Sequence, residues 1–386
     1  MTEHYDAVVV GGGVAGLTSA LSLGEQGFEV FLLEKDSEIG GIARRIHYTL
    51  EGLDVQAYLR DLANKVYKHP LVHVYTDSTI IEATGYVGNF TTTVKTGIMT
   101  KEIHHGITII ATGAEEHKPA EYLYGKDDRV MTNLELEARI AKGEKKIIDS
   151  RSLVMIQCVG CRNKARNYCA RICCSQSVKN ALKLKELNPG MDITVLFRDM
   201  RTYGFKEDYY RDASEKDVRF IRYEPEDKPL VEPVEEEGRR VLRVTVADPI
   251  LGKRLAIDAD YISLAAAVIP SAGTQEISRL FKVALNPDGF FQEAHVKLRP
   301  VDFAADGVFL CGTAHYPKHI PEAISQAYGA AGRAATILTK NSVIASGAVC
   351  EVNENDCVSC GACISLCNYG AIEFVDTPRG RTARVN

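Results

Sequence analysis

The chain has 386 residues, with 46 Lys and Arg against 51 Asp and Glu, a formal net charge of −5. That balance speaks against a nucleic-acid binder, which carries a basic surplus, and a hydrophobic share of 45% excludes a disordered chain. No apolar run is long enough to cross a bilayer, and MTEHYDAVVVGGGVAG lacks the basic n-region and cleavage site of a secretory signal, so a cytoplasmic protein is expected. The outlying count is 11 Cys, five between 158 and 174 and five between 350 and 367. Disulfides do not persist in reducing compartments, so such clusters point to metal or redox sites.

In chain order, Tyr5–Val10 reads as a short buried parallel strand. Gly11, Gly13 and Gly16 follow with G-x-G-x-x-G spacing. Leu17, Ala20, Leu21 and Leu23 then recur at helical spacing up to Gly27, and Glu29–Leu33 reads as a second strand ending at Glu34. The glycines permit a tight turn, close approach of backbone to a pyrophosphate, and helix–strand packing; the helix N-terminus attracts the phosphates. Glu34 stands 18 residues after Gly16, where a carboxylate accepts hydrogen bonds from an adenosine ribose. The alternative is a glycine-rich turn without a ligand.

Three features select FAD over NAD. Gly40-Gly41 resembles the second glycine pair of flavoproteins with two dinucleotide-binding domains. Thr108–Gly113 (TIIATG) resembles the strand that returns the chain to their FAD domain, and Gly307–Thr313 (GVFLCGT) resembles their last FAD-contacting strand. Those flavoproteins carry Asp after the final Gly; Thr313 stands there, a weaker acceptor for the ribityl chain. Pro321 suits a helix start, and Ile324, Ala327, Tyr328, Ala331 and Ala335 form the expected buried stripe. The N-terminal end of that helix would favour negative charge on a reduced flavin; its alternative role is core packing. The flavin set that resemblance to those flavoproteins implies is Gly11, Gly13, Ala15, Gly16, Glu34, Lys35, Gly41, Ile80, Ala111, Thr112, Gly113, Gly312, Thr313 and Ile320.

Residues 152–199 outline a second Rossmann-like unit: strand Ser152–Gln157, helix Ser175–Leu187 with Val178, Ala181, Leu182 and Leu184 apolar, and strand Ile193–Phe197. Where its glycine loop should stand, the chain reads CVGCRNKARNYCARICC. Bulky residues there deny a pyrophosphate access to the backbone, so no NAD(P)H is expected in this domain. Five cysteines exceed one dithiol, and four thiolates suffice for a [4Fe–4S] cluster. A zinc site, a Cys158/Cys161 dithiol and reduced core cysteines remain the alternatives.

At the C-terminal side, Cys357, Cys360, Cys363 and Cys367 are spaced C-x2-C-x2-C-x3-C, the spacing of a ferredoxin-type cluster, with Asn368 where a Pro is usual. Cys367 or Cys350 supplies the fourth ligand. Cys311 stands alone in an apolar strand as a small core residue. Pro225–Gly238 is Pro-rich and acidic and reads as an exposed loop or hairpin rim, with docking of a basic partner as the other role. Gly347-Ala348 reads as a hinge.

The stretches IQCVGCRNKARNYCARICCSQSVKNALKLKE and VFLCGTAHYPKHIPEAISQAYGAAGRAA resemble the cysteine loop and flavin segment of HdrA, the iron–sulfur flavoprotein of heterodisulfide reductase, and its relatives. The resemblance implies an α/β, thioredoxin-reductase-like flavoprotein with two Rossmann-type dinucleotide-binding domains and a C-terminal half-ferredoxin segment. It implies an FAD domain over 1–118 and 290–345, an inserted cysteine-loop domain over 119–289, and a cluster tail over 346–386. It implies Cys158, Cys169, Cys173 and Cys174 as cluster ligands, with Cys161, where the family has Ser, as a substitute, and Lys318 near the flavin as a tuning residue or as a Lys capping its loop. Starting directly at the FAD strand, the chain is similar to the shorter forms of sulfur-oxidising or sulfate-reducing complexes.

The function this implies is electron relay between FAD and one or two [4Fe–4S] clusters, in sulfur or thiol–disulfide metabolism. The implied partners are other heterodisulfide-reductase-like subunits, with a homodimer by analogy and any membrane association peripheral and through those partners. The rival readings are a stand-alone NAD(P)H-dependent disulfide reductase and a non-catalytic scaffold. Against the first, the nucleotide loop is missing, and C-x-x-C in thioredoxin reductases precedes the strand.

Overall fold

The computed structural model describes residues 6–236, 238–343, 350–367, 369–378 and 380–385. The expected hinge Gly347-Ala348, Tyr5 of the first strand and Asn368 lie outside the described residues. The chain divides into two compact units, one of residues 1–41, 60–114 and 270–386, the other of 42–59 and 115–269.

The first unit is built on a five-stranded parallel sheet ordered Val308–Leu310, Ile107–Ile110, Ala7–Val10, Val30–Leu33 and Val72–Tyr75. Its central strands read AVVV and ITII and are wholly buried, as a sheet covered on both faces requires. Helix Val14–Glu25 buries Leu17, Ala20 and Leu23. It ends at Gln26, with Gly27 at φ 92° and the amide of Phe28 donating to the Leu23 carbonyl, a Schellman closure that requires the left-handed glycine.

Helix Ile320–Leu338 forms where expected, with Pro321 in its first turn; of its expected stripe Ala327, Ala331 and Ala335 are buried, Ile324 is half-buried and Tyr328 faces out. Ala323, Ala327, Ala330, Ala331, Ala334 and Ala335 face inward, while Tyr328 is 57% exposed. Small side chains let this helix lie close to helix Val14–Glu25, where the Ser19 hydroxyl bonds the Ala327 carbonyl. Cys311 is fully buried beneath it, 3.5 Å from the Ser19 hydroxyl.

An antiparallel sheet of Ser78–Tyr86, Asn89–Thr96 and Met99–His105 also belongs to this unit. Helix Thr274–Phe281 packs on it, and Phe281 and Val283 join the core of Ile80, Val94 and Ile103. The chain therefore returns to this unit by residue 270, earlier than the expected 290. His105 is buried here; its Nδ1 faces the Ile107 carbonyl at 2.9 Å, its Nε2 the Thr92 hydroxyl at 2.8 Å, and its ring stacks on Phe90. Burial drives its pKa down to about 4, against the Ile107 hydrogen bond, with the neighbouring His104 also lowering it. A base depressed in the folded state stabilises fully above its unfolded value of 6.5, and that stability is lost as pH falls toward 4. Stability should drop by up to about 3 kcal/mol over this window. Denaturant titrations of the wild type and His105→Gln at both ends of the window check this; equal slopes in the two proteins would exclude His105 as the source.

The second unit holds a second parallel sheet, ordered Val218–Arg222, Asp192–Phe197, Ser152–Val159, Tyr261–Ala266 and Val130–Thr132. Helix Cys173–Leu187 packs Val178, Ala181 and Leu184 against it. Of the two forms expected for the acidic stretch it takes the hairpin: Leu230–Glu236 is the edge strand of an antiparallel sheet with Arg239–Asp248 and Lys253–Ala259. Pro233 is admitted because an edge strand has one side without a ladder, and Glu232 and Glu235 keep that edge from further pairing. Segment 42–59 belongs to this unit through a buried ion pair. Lys179 Nζ lies 2.8 Å from Glu137 Oε2 and donates to the Tyr48 carbonyl, while Glu137 Oε1 accepts the His47 amide at 2.7 Å.

The tail contains helix Ala362–Leu366 and the hairpin Ile372–Thr377/Gly380–Val385. Among the described residues, no helix is long and apolar enough to cross a membrane.

Candidate functional site

The glycine loop sits between strand Ala7–Val10 and helix Val14–Glu25. A Cβ on Gly16 would lie 1.8 Å from the Gly11 carbonyl oxygen, and one on Gly11, at φ 108°, would lie 2.4 Å from the Ala111 carbonyl oxygen. A Cβ on Gly13 would meet nothing within 4 Å. The outer two glycines thus permit the turn, and the middle one keeps an open face of backbone at the helix N-terminus.

Glu34, 6% exposed, closes one edge of this loop; its Oε2 accepts the Gly12 amide at 2.7 Å and its Oε1 the Asp36 amide at 2.9 Å. Each oxygen keeps a second lone pair for a ribose hydroxyl. The Gly40 amide donates to the Gly12 carbonyl at 2.7 Å, and Gly41 stands so near Gly13 that a Cβ there would be 3.2 Å from its Cα.

The returning segments converge on the same loop. Ala111 abuts Gly11; Gly312, at φ 73°, meets Ala15; and Gly113 faces the Thr313 hydroxyl. Thr112 Oγ1 is buried without a protein partner, a polar atom that suits a polar ligand. Ile80 is buried in the adjoining core, Ile320 opens helix Ile320–Leu338, and Lys35 is exposed at the strand end. The cradle, the acid and the orphaned hydroxyl together fit FAD.

The Lys318 ammonium is tied to the carbonyls of Gly312 and Tyr316, so it caps the loop that carries Thr313. Glu322 bonds the His319 amide in the first turn of the following helix, and its charge offsets the positive dipole end there.

In the second unit, the cysteine loop occupies the C-terminal end of strand Ser152–Val159, where a nucleotide loop stands in a Rossmann unit. Hydrogen bonding from Cys161 brings the Cys158 thiol down to about 6, against burial and with help from the Arg162 guanidinium 3.8 Å away, and the same bond drives Cys161 up. Cys173 is likewise pushed up by its bond to Cys174, by burial, and by charge on Cys161 and Cys158. Cys169 Sγ accepts the Arg171 amide at 3.3 Å. Of nine described non-glycine residues with left-handed φ, Cys158, Arg162 and Arg171 lie in this loop and Ser359 lies between Cys357 and Cys360 of the tail. Such backbone costs about 1 kcal/mol or more per residue and clusters at functional sites.

Among the described residues, no group of three His, Cys, Asp or Glu is arranged to hold a metal ion. The loop thus gathers soft donors of the right type without a closed coordination shell. In the tail, Cys357 Sγ accepts the Ala383 amide at 3.4 Å, while Cys350, Cys360 and Cys363 are exposed.

Sequence reasoning missed two contacts. One is the Glu137–Lys179 pair, whose only local sign is a Lys on a buried helix face with no acid three or four residues away. The other is His117, against whose ring a Cβ on Gly160 would lie at 2.4 Å; no local sign exists for it.

Comparison with known proteins fits this geometry. A family model described as an NAD(P)-binding Rossmann-like domain matches residues 9–69. A CoB–CoM heterodisulfide reductase iron-sulfur subunit of the HdrA type, from Methanopyrus kandleri, is 32% identical over 96% of this chain and 70% of its own length. The chain belongs to the HdrA family of heterodisulfide reductase. The corresponding HdrA protein of Methanocaldococcus jannaschii is 30% identical over 98% of the chain and 71% of its own length. Both alignments, 465 and 474 residues long, exceed the chain's 386, so these relatives carry residues inside the matched region that this member lacks. Lactococcus lactis thioredoxin reductase shares the fold, with a TM-score of 0.59 and 18% identity over 86% of this chain and 99% of its own. The protein is an oxidoreductase of thioredoxin-reductase-like architecture.

Proposed function

We propose that this HdrA homologue relays electrons between FAD and [4Fe–4S] clusters within a heterodisulfide-reductase-like complex. The observation that carries this reading is the cysteine loop at the end of strand Ser152–Val159, in a unit that keeps the Rossmann winding. When bound, FAD exchanges electrons in pairs or singly and a cluster exchanges them singly. The chain's own residues bind and orient. Gly11, Gly13 and Gly16 give the pyrophosphate its backbone cradle, Glu34 holds the ribose, and Thr112 and Thr313 offer hydroxyls. Lys318 keeps the Gly312–Thr313 loop in place.

Cys158, Cys169, Cys173 and Cys174, or Cys161 in place of one of them, hold one cluster. Cys357, Cys360, Cys363 and Cys367, or Cys350, hold another. The partners are the other subunits of such a complex, with any membrane association through them; the chain pairs as a homodimer and works in the cytoplasm.

Iron and flavin counts with paramagnetic-resonance titration of anaerobically purified protein test this. About eight iron atoms and one flavin per chain are expected. Cys173→Ser should remove about four iron atoms and leave the flavin. Iron-free wild type, with flavin bleached stoichiometrically by NADH, would return the stand-alone disulfide reductase.

A further inference from the structure

We propose that the surface over the cysteine loop is a docking site for an acidic one-electron-carrier protein. The inference rests on the electron-relay reading and adds where the carrier binds and what it is like. Two segments of the second unit form this surface. Residues 162–171 hold Arg162, Lys164, Arg166 and Arg171 and no acid; residues 198–206 hold Arg198, Arg201 and Lys206 with only Asp199. The whole chain is net acidic at −5, so this basic patch runs against its composition. Asp199 is shared between Arg162 at 2.6 Å and Arg201 at 3.9 Å and so neutralises one charge of two. The next acids, Glu207 and Asp208, bond Thr202 and Arg211.

The patch touches the sulfurs. Arg162 Nη1 lies 3.8 Å from Cys158 Sγ, the Arg171 amide 3.3 Å from Cys169 Sγ, and the Asp199 carbonyl 3.8 Å from Cys174 Sγ. Cys158 and Cys169 are themselves only half-buried. The patch also carries exposed aromatic rings. Phe205 is 92% exposed and Tyr203 53%, with Arg171 bonding the Tyr203 hydroxyl and Lys206 5.6 Å over its ring. Exposed aromatics among Arg and Lys mark recognition surfaces, and one sign of charge around them steers a partner of the other sign.

The test is stopped-flow electron exchange between the full chain and a reduced acidic ferredoxin, across a salt series. The wild-type rate should fall steeply with salt. Lys164→Glu/Arg201→Glu should slow exchange about tenfold or more at low ionic strength and flatten the salt dependence. Reduction by a small uncharged mediator should be unchanged. Phe205→Ser should slow exchange while keeping the salt slope. A wild-type rate indifferent to salt, or a charge-reversal variant as fast as wild type, overturns the proposal. So does sedimentation in which the variant splits a wild-type dimer, which would assign the patch to a second copy. Iron is counted in the same samples: iron-free wild type sinks the electron-relay reading, whereas iron-replete protein with a salt-indifferent rate sinks the surface alone.

Discussion

Gly16→Ala is expected to strip the flavin and loosen the fold together, whereas Gly13→Ala should strip the flavin alone. At Gly16 the added carbon would stand 1.8 Å from the Gly11 carbonyl oxygen, which is backbone and cannot rotate away. The helix start must move off the sheet, costing about 2–3 kcal/mol as overpacking of a core does. Moving it also breaks the cradle that Gly11 and Gly40 complete. At Gly13 the added carbon meets no protein atom, and the backbone there is extended at φ −72° and ψ 176°, which alanine accepts. Its only obstacle is a ligand brought close to the backbone. Absorbance near the flavin band against protein, with thermal midpoints, separates the two. Both variants should lose flavin tenfold or more, a cost of about 1.4 kcal/mol or more in binding. Only Gly16→Ala should lower Tm. A Gly13→Ala protein that keeps its flavin would move the pyrophosphate away from this loop.

Glu137→Ala is expected to be the most damaging single change outside the loops, at about 3–5 kcal/mol. The Glu137 side chain is 0% exposed and that of Lys179 8%. Burial pulls the Lys179 ammonium toward its neutral form, and the Glu137 charge opposes this. Removing the acid leaves an unpaired cation inside the protein and strips the His47 amide of its acceptor. Segment 42–59 should then come away from helix Cys173–Leu187, which carries two of the cysteines. Denaturant unfolding measures the loss, and proteolysis near residue 50 reports the segment. Glu137→Met/Lys179→Met should recover most of the stability, because two apolar side chains of similar volume leave no uncompensated charge. If the double variant is as unstable as Glu137→Ala, packing rather than charge holds the segment.

The dinucleotide loop was legible because its signals are local. Strand, glycines, helix and Glu34 lie within one short run, and each residue's role follows from neighbours a few positions away. The tail spacing was legible for the same reason. Other features follow from distant partners. Tyr328 sits at a position whose helical spacing reads as core, yet it faces out, while the buried face of its helix is almost all alanine. Pro225–Gly238 read as a loop or a hairpin rim, and the pairing of Leu230–Glu236 with Arg239–Asp248 makes it the hairpin. Lys318 read as a flavin or loop residue, and only the folded loop shows its ammonium on two carbonyls.

By itself, then, the sequence determined the dinucleotide fold, the loss of a second glycine loop and the two cysteine groups, since these are matters of which residue types stand at which short spacings. The tertiary structure alone decided that Tyr328 faces out of its helix, how segment 42–59 joins the second unit through Glu137 and Lys179, and that the segments 162–171 and 198–206 meet beside the cysteines. Those pairings join residues tens of positions apart. Chain connectivity leaves such distances open, and only burial and charge in the folded protein close them.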